Sequence, residues 1–359
     1  KIMIISIQEP HNVNEKVRKN TIMNNVKRHF LGILLSGAIA AVAYVISLFI
    51  PAGILGAALL ALIIGMLLNP LVSRTDIFDA GINWTSKIIL RLGIILGGIT
   101  LSFAQVFQAG KYALILMVFT LTTAFGVGIL CKKIFKINWK LTSLLSVSTA
   151  ICGGTAVATL GPTIEAKNRD IAYAISATFI FDIITVIAFP AIGRLIGLDD
   201  TGYGLWIGTS VNDTSSVVAA GYAFSDAAGS LATIVKLTRT LFIVPIVLIF
   251  SWIYSRRENK QPQLAKKVNV AKIFPWFILG FLAVVGIRST GIVPDNVVSV
   301  ISFISKFLLA MALAAIGLKT SLKEVAGVGV KPMIAGVIID ISVVFVSLFA
   351  QAGILYFMK

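Results

Sequence analysis

Histidine, cysteine and charge are all scarce in this chain, and each scarcity removes a class of function. The only histidines, His11 and His29, precede the first apolar segment, so a histidine-based catalytic metal centre has no ligands to draw on. Cys131 and Cys152 are the only cysteines and lie far apart inside apolar segments, which implies no disulfide framework. Charged residues make up 13% of the 359 residues, about half of the roughly 25% usual in a soluble domain. The signatures His-Glu-x-x-His, Gly-x-Gly-Asp and Gly-x-Ser-x-Gly are absent, as is the phosphate-binding Gly-x-x-x-x-Gly-Lys-Ser/Thr loop. An intramembrane enzyme is therefore not expected, ATP-driven transport would need a separate subunit, and no cofactor or metal is predicted.

Apolar residues fill the space left by charge: 57% of the chain is hydrophobic, with 30 glycines and a mean hydropathy of +0.95. They are arranged in eleven stretches of 15 to 26 residues, at about 31–50, 54–68, 88–105, 112–131, 141–161, 171–196, 203–222, 230–254, 274–288, 297–318 and 333–357. A hydrocarbon core of ~30 Å needs ~20 apolar residues per helical crossing, so the pattern predicts an all-α polytopic membrane protein. The net charge of +16 does not indicate nucleic acid, because the basic residues lie in short links between apolar stretches and not on one solvated patch. With eleven crossings and the N-terminus inside, 22 lysines and arginines fall on the N-terminal side. Lys111, Lys167, Arg169, Arg288 and Lys359 fall on the other. That bias follows the positive-inside rule and places the C-terminus outside. On this reading residues 1–30 are a cytoplasmic segment, 31–254 a first membrane half, 255–273 a basic cytoplasmic loop and 274–359 a second half. Residues 1–22 precede Met23 and are read as an extension, a tag remnant or the mark of an alternative start, without structural weight.

Gly98-Ile-Thr-Leu-Ser-Phe-Ala-Gln-Val lines up with Gly317-Leu-Lys-Thr-Ser-Leu-Lys-Glu-Val, and Gly110 then falls opposite Gly329. As third and tenth crossings the two copies would run in opposite directions, the inverted-repeat plan of many secondary transporters.

Arg91, Lys236, Arg239, Lys306, Asp182, Asp213 and Asp340 fall within the apolar stretches. Burying each costs at least ~2.5 kcal/mol, so they are expected to face a watery cavity or one another. Lys236 and Arg239 share one helix face and form a candidate anion site, or alternatively pair with Asp182 or Asp213. Two segments are unlike ordinary spans. In Ser146 to Pro162, hydroxylated Ser148, Thr149 and Thr155 surround Cys152-Gly153-Gly154, which weakens the helix at mid-membrane. In Gly208 to Gly221, Asn212, Asp213, Thr214 and Ser215 stand in a row. A broken helix here would aim free N–H groups at a substrate, while Asp213, with Asp182 as second candidate, would hold a coupling proton or sodium.

The motifs LRLGIILGGITLS (90–102), STAICGGTAVAT (148–159), GTSVNDTSSVVAAG (208–221), VKLTR followed by Pro245, and LLAMALAAIGLKTSL (308–322) together resemble the YeiH-type sulfate exporter family of bacterial inner-membrane proteins. The resemblance runs from about residue 31 to the C-terminus. That family is grouped with sodium/proton antiporters and bile-acid symporters, so the resemblance implies inverted repeats, two broken helices crossing near the membrane centre, and a homodimer. The segment from Gly98 to Gly154 is also similar to the matching helices of bile-acid-type symporters, with Ile151 to Thr155 at the break. Some relatives carry His-Glu where this chain has Asn212-Asp213, and an acidic residue at the position of Gly161, so any coupling here falls to Asp213 alone.

The expected function is a secondary transporter of a small anion, sulfate or a sulfonate-related compound, coupled to protons or sodium. The substrate would meet Ser148, Thr149, Cys152, Gly153, Gly154, Thr155, Asn212, Thr214, Ser215, Lys236 and Arg239. A cation/proton antiporter is the alternative, and a passive anion channel a further one. The position of the second break is open: either the Asn-Asp segment is re-entrant, or the break lies near Ala314–Gly317.

Overall fold

The computed structural model describes residues 11–49, 56–257, 269–320 and 330–357, and among them every regular element is helical. In chain order these are α1 (His11–Phe49), α2 (Ala57–Val72), α3 (Asp79–Trp84), a π-helical turn (Thr85–Ile89), α4 (Leu90–Gly97), α5 (Phe103–Phe135), α6 (Trp139–Ala150), α7 (Gly154–Thr163) and α8 (Asn168–Leu195). There follow α9 (Asp200–Ser210), α10 (Thr214–Phe224), α11 (Asp226–Leu241), α12 (Ile243–Arg257), α13 (Val270–Ile273), α14 (Phe277–Ser289), α15 (Asp295–Lys319) and α16 (Val330–Phe357). Polar residues mark the starts. Ser102 and Gln105 form a reciprocal capping box at α5, and the side chains of Asn138, Asp199 and Ser225 accept backbone N–H groups at α6, α9 and α11. The capping box explains why the stretch predicted as one helix over 88–105 instead ends at Thr100 and restarts at Phe103.

Seven of the described helical runs are long and apolar enough to cross a bilayer: 29–49, 79–100, 103–135, 168–195, 226–257, 295–319 and 331–354. Two shorter apolar helices, α2 and α14, join them.

Two of the eleven stretches expected to cross do not run through. Stretch 141–161 is the pair α6–α7, folded back on itself. Lys140 Nζ donates to the Glu165 carbonyl at 3.0 Å and Asn138 Nδ2 to Asp170 Oδ2 at 3.0 Å, which brings the start of α6 beside the end of α7. Stretch 203–222 is the pair α9–α10, folded back likewise. Ser225 Oγ donates to Asp200 Oδ1 at 2.5 Å, Tyr203 OH donates to the Ala220 carbonyl at 3.2 Å, and the Tyr203 and Phe224 rings stack at 3.9 Å. Each arm holds 10 to 12 residues, about 15–18 Å of helix and so about half a bilayer. The Asn-Asp segment is thus the re-entrant one of the two alternatives, and α15 runs unbroken through Ala314–Gly317.

The hairpins enter from opposite ends. The α6–α7 base sits at the near face, the end that holds Arg257 and Asn269, where Tyr254 OH donates to Glu165 Oε2 at 2.8 Å and its ring stacks on Trp139. The α9–α10 base sits at the far face, beside the start of α11. Helix α8 connects the two, with Arg194 at its far end donating to the Ala223 carbonyl at 2.9 Å.

Packing groups the helices across the 255–273 boundary. Helices α1 to α4 with α14 and α15 form one unit, and α5 to α12 with α16 form another. They join where Ala58, Leu59 and Leu62 of α2 and Leu313 of α15 meet Val186, Ala219 and Ala223. Within the first unit α4 and α15 are antiparallel: Ser305 Oγ donates to the Gly93 carbonyl at 2.7 Å, and Gly97 faces Ser305. The two Gly-containing repeat copies therefore end helices that point opposite ways, although the second copy from Ser321 onward lies outside the described residues. Backbones of α2 and α15 touch at Gly65 and Gly317, where an added Cβ would overlap the carbonyls of Ala314 and Leu62 respectively.

Gly65→Ala and Gly317→Ala are each expected to destabilise by roughly 1–3 kcal/mol through overpacking. Gly126→Ala, which meets nothing within 4 Å, is expected to be neutral or to gain up to ~1 kcal/mol. Unfolding in detergent checks both, and equal behaviour of the three variants would contradict the close α2–α15 contact.

Candidate functional site

The tips of the two hairpins meet at the centre of the second unit. At the first tip the helical path fails at Ile151-Cys152-Gly153, where Gly153 has φ +63°. A Cβ there would sit in ordinary contact, 3.4 Å from the backbone of Asn212 and Asp213, so it is the dihedral angle that calls for glycine at this position. At the second tip Val211 and Asn212 leave the helical path, and Asp213 caps α10 by accepting the Ser215 N–H at 2.8 Å and the Ser215 hydroxyl.

Opening two helices at membrane depth exposes carbonyls at the ends of α6 and α9 and N–H groups at the starts of α7 and α10. Fixed charges meet most of them. Lys236 Nζ donates to the Ile151 carbonyl at 2.7 Å and to the Val211 carbonyl at 3.1 Å, one from each tip. One turn on, Arg239 Nε donates to the Ala150 carbonyl at 2.7 Å, and its Nη1 to the Thr209 carbonyl. Asp182 on α8 accepts the N–H groups of Asn212 at 3.0 Å and Asp213 at 3.1 Å. Asp340 on α16 accepts Thr149 Oγ1 at 2.5 Å and Asn212 Nδ2 at 2.9 Å. The cations therefore sit on the partially negative helix ends and Asp182 on a partially positive one. Ser148 and Thr178 share a hydrogen bond of 2.5 Å, and Ser210 and Ser347 one of 2.6 Å.

On the near side of the tips lies a cavity of about 640 Å³. Its deep end is lined by Cys152, Thr155, Thr159, Asp213, Thr214 and Ser215, which brings the first turns of α7 and α10 to it. Gly153 gives α7 no side-chain cap, so the positive end of that helix is open. The cavity mouth carries Lys87, Arg91, Lys272 and Lys319, with Phe274, Trp276 and Phe277 between them. None of the four cations forms an ion pair among the described residues; Arg91 lies over the Phe277 ring at 5.8 Å. Among the described residues, Asp213 is the only acid in the lining.

A second cavity of about 490 Å³ opens toward the far face between Gln105, Gln108, Tyr112, Asp200, Asp226 and Lys306. Between the two, Ile94, Leu101, Tyr222 and Leu309 close around a void of about 10 Å³. Lys306 of the first unit bonds Asp226 of the second at 2.5 Å across the far cavity.

All thirteen residues singled out from the sequence converge here, in two layers. Cys152, Thr155, Asp213, Thr214 and Ser215 line the cavity. Ser148, Thr149, Asn212, Asp182, Lys236 and Arg239 lie buried beneath it, while Gly153 and Gly154 form the turn. Lys236 Nζ and the Nε and Nη1 groups of Arg239 donate to backbone carbonyls and form no ion pair with Asp182 or Asp213, while Arg239 Nη2 is buried without a hydrogen-bond partner. Asp340 bridges the tips, a role that its isolated position in the sequence did not announce. Lys87, Lys272 and Lys319 read as topology markers in the sequence; only the spacing of Lys87 and Arg91, one helical turn apart, hinted at a shared face.

These features define a polytopic helical membrane protein built around two opposed re-entrant hairpins. The family described as Conserved hypothetical protein 698 matches residues 31–336. A UPF0324 membrane protein of Clostridium tetani is 55% identical over 336 residues, spanning 91% of this chain and 97% of that one. UPF0324 membrane proteins of Streptococcus agalactiae and Streptococcus pneumoniae are each 36% identical, over 335 and 343 residues, spanning 91% and 92% of this chain and 98% of each relative. The chain belongs to the UPF0324 membrane protein family.

Lys236→Met keeps side-chain length but leaves two buried carbonyls without their donor. It is expected to cost at least ~2 kcal/mol of stability, since each orphaned group costs about 1–3 kcal/mol. Denaturation of the purified protein reads this, and a variant as stable as the parent would show that Lys236 does not hold the tips together.

Proposed function

We propose that the protein is a secondary transporter of a small anion in the bacterial cell membrane, working by alternating access and coupled to a proton or sodium ion. The observation that carries this reading is the near-face cavity. It ends on the positive first turns of two half-helices, and four cations that form no ion pair among the described residues surround its mouth, with Asp79 close enough to act on Lys319. Such a cluster repels itself unless an anion compensates it, and helix starts supply N–H donors suited to an oxyanion. In this arrangement the anion meets Thr155, Thr214 and Ser215, while Lys236 and Arg239 stabilise the tips that present them. Asp213, the acid in the lining, is the coupling-ion ligand, with Asp182 behind it.

The topology that accompanies this function has nine crossings, formed by the seven long runs with α2 and α14, and two hairpins. Relative to eleven crossings, Lys167 and Arg169 move to the near side and Arg194 to the far side. The basic residues outside the membrane then divide 23 to 4, a stronger bias than 22 to 5, which supports a cytoplasmic near face. The cavities at the two faces support alternating access. Moving one unit past the other would close the near cavity and open the seal at Tyr222 and Leu309, with the Lys306–Asp226 pair as the far-side latch.

Reconstituted vesicles test the proposal. Anion flux that saturates, and that accelerates with substrate on the opposite side, supports a carrier; ohmic current would support a channel. Stabilisation by sodium, lithium or pH alone, lost in Asp213→Asn, would replace the anion reading with a cation/proton antiporter. Neutralising the rim in Arg91→Gln/Lys319→Gln is expected to raise the KM for anion entering from the near face at least about tenfold at low salt, converging with the parent at high salt as screening removes the field. Lys306→Gln is expected to raise thiol labelling of Cys152 from the far side in a Cys131→Ala background; unchanged labelling would exclude the latch.

A further inference from the structure

The walls of the near-face cavity separate its two polar ends. Hydroxyl groups and Asp213 occupy the deep end, and the four cations occupy the mouth. Besides these the lining is mostly hydrocarbon, with Leu90 and Ile94 of α4, Phe179 of α8 and Ile316 of α15, continued at the mouth by Trp276 and Phe277, and with Ser86 and Thr240 as the further polar side chains. A bare inorganic oxyanion makes no use of such a wall. It is a small, strongly hydrated ion that would leave most of about 640 Å³ to water against apolar side chains. That volume lies instead in the range of roughly 300–1,000 Å³ typical of sites for organic ligands, which are mostly apolar with a few convergent polar groups. The two strongest cations of the buried layer, Lys236 and Arg239, are both turned to backbone carbonyls. The deep end therefore offers helix N–H groups and hydroxyls but no cationic head, alongside one carboxylate. That environment suits a singly charged head better than a dianion, because the Asp213 carboxylate repels a second negative charge.

We propose that the substrate is a monoanionic organic acid, a sulfonate or carboxylate head on a short hydrocarbon body, and that the protein selects it over inorganic sulfate through the Leu90, Ile94, Phe179 and Ile316 wall. This rests on the anion-carrier reading. The body lies along that wall while the head faces the helix starts or the cationic mouth, and each buried methylene adds apolar contact that sulfate cannot make.

Thermal unfolding of the intact protein in detergent tests this, with titrations of sodium sulfate, methanesulfonate, propanesulfonate and pentanesulfonate, and of acetate, butanoate and hexanoate. Neutral alcohols of the same lengths serve as controls. The expected result is saturable stabilisation whose half-maximal concentration falls by up to about fourfold per added methylene, with sulfate far weaker. Phe179→Ala is expected to weaken pentanesulfonate more than methanesulfonate and so to flatten the dependence on chain length. Trp276→Ala, at an exposed position, gives the same comparison at the mouth if the Phe179 variant does not fold. Sulfate as effective as pentanesulfonate, or no dependence on chain length, would overturn the inference and leave the anion carrier standing. Alcohols as effective as the acids would overturn it as well, because the charged head would not be read. Stabilisation by no anion at all would overturn both.

Discussion

A helix interrupted inside a bilayer leaves backbone groups that the surrounding hydrocarbon cannot bond, and this constraint organises the core of the protein. Two hairpins stop at half-depth, each opening carbonyls and N–H groups there. Lys236 and Arg239 take the carbonyls of both tips, and Asp182 takes the N–H groups of the second. The charges that would be most costly in this environment are thereby matched to the partial charges most in need of them. No direct ion pair is required, because each side chain is neutralised by a helix end. The same bonds fix the distance between the tips, since Lys236 reaches one carbonyl on each.

With the carbonyl ends sealed, the starts of α7 and α10 are what the hairpins present to the near cavity. The polarity of the site is thus a consequence of how the breaks are stabilised: cations below hold the negative ends, and positive ends face outward. The rim extends this polarity with cations from several segments, Lys87 and Arg91 beside the π-helical turn, Lys272 before α14 and Lys319 at the end of α15. Lys87, Arg91 and Lys319 come from outside the hairpin unit, while Lys272 lies on α13, which packs on α12. Most of the rim and the hairpin tips therefore belong to different bodies, and relative motion of the two units would change their spacing. Part of the joint between the units is formed by small and aliphatic side chains of α2, α8, α10 and α15.

Much of this was legible in the residues. Composition and run length gave the helical membrane class, because apolar runs of ~20 residues have few other uses. The Cys152-Gly153-Gly154 and Asn212-Asp213 segments stood out because glycine pairs and consecutive polar residues oppose an apolar helix, and both are the hairpin tips. Lys236 and Arg239 stood out as charges at depth, but their partners did not. A lysine that binds carbonyls 85 and 25 residues away has no counterpart in local sequence. Run length also misled in an instructive way, since a hairpin with two half-length arms occupies as many residues as one full crossing.

The sequence by itself determined the solvent the protein lives in, the positions where its helices fail and the charges available to repair them, because these depend on side-chain type and spacing along the chain. The tertiary structure decided that the two failures are reversals, that they face each other, and that Asp340, Lys87, Lys272 and Lys319 join the site. Those outcomes depend on through-space contacts between helices far apart in the chain. A hydrogen bond across 191 residues, such as that from Thr149 to Asp340, is specified by the packing of every helix between them.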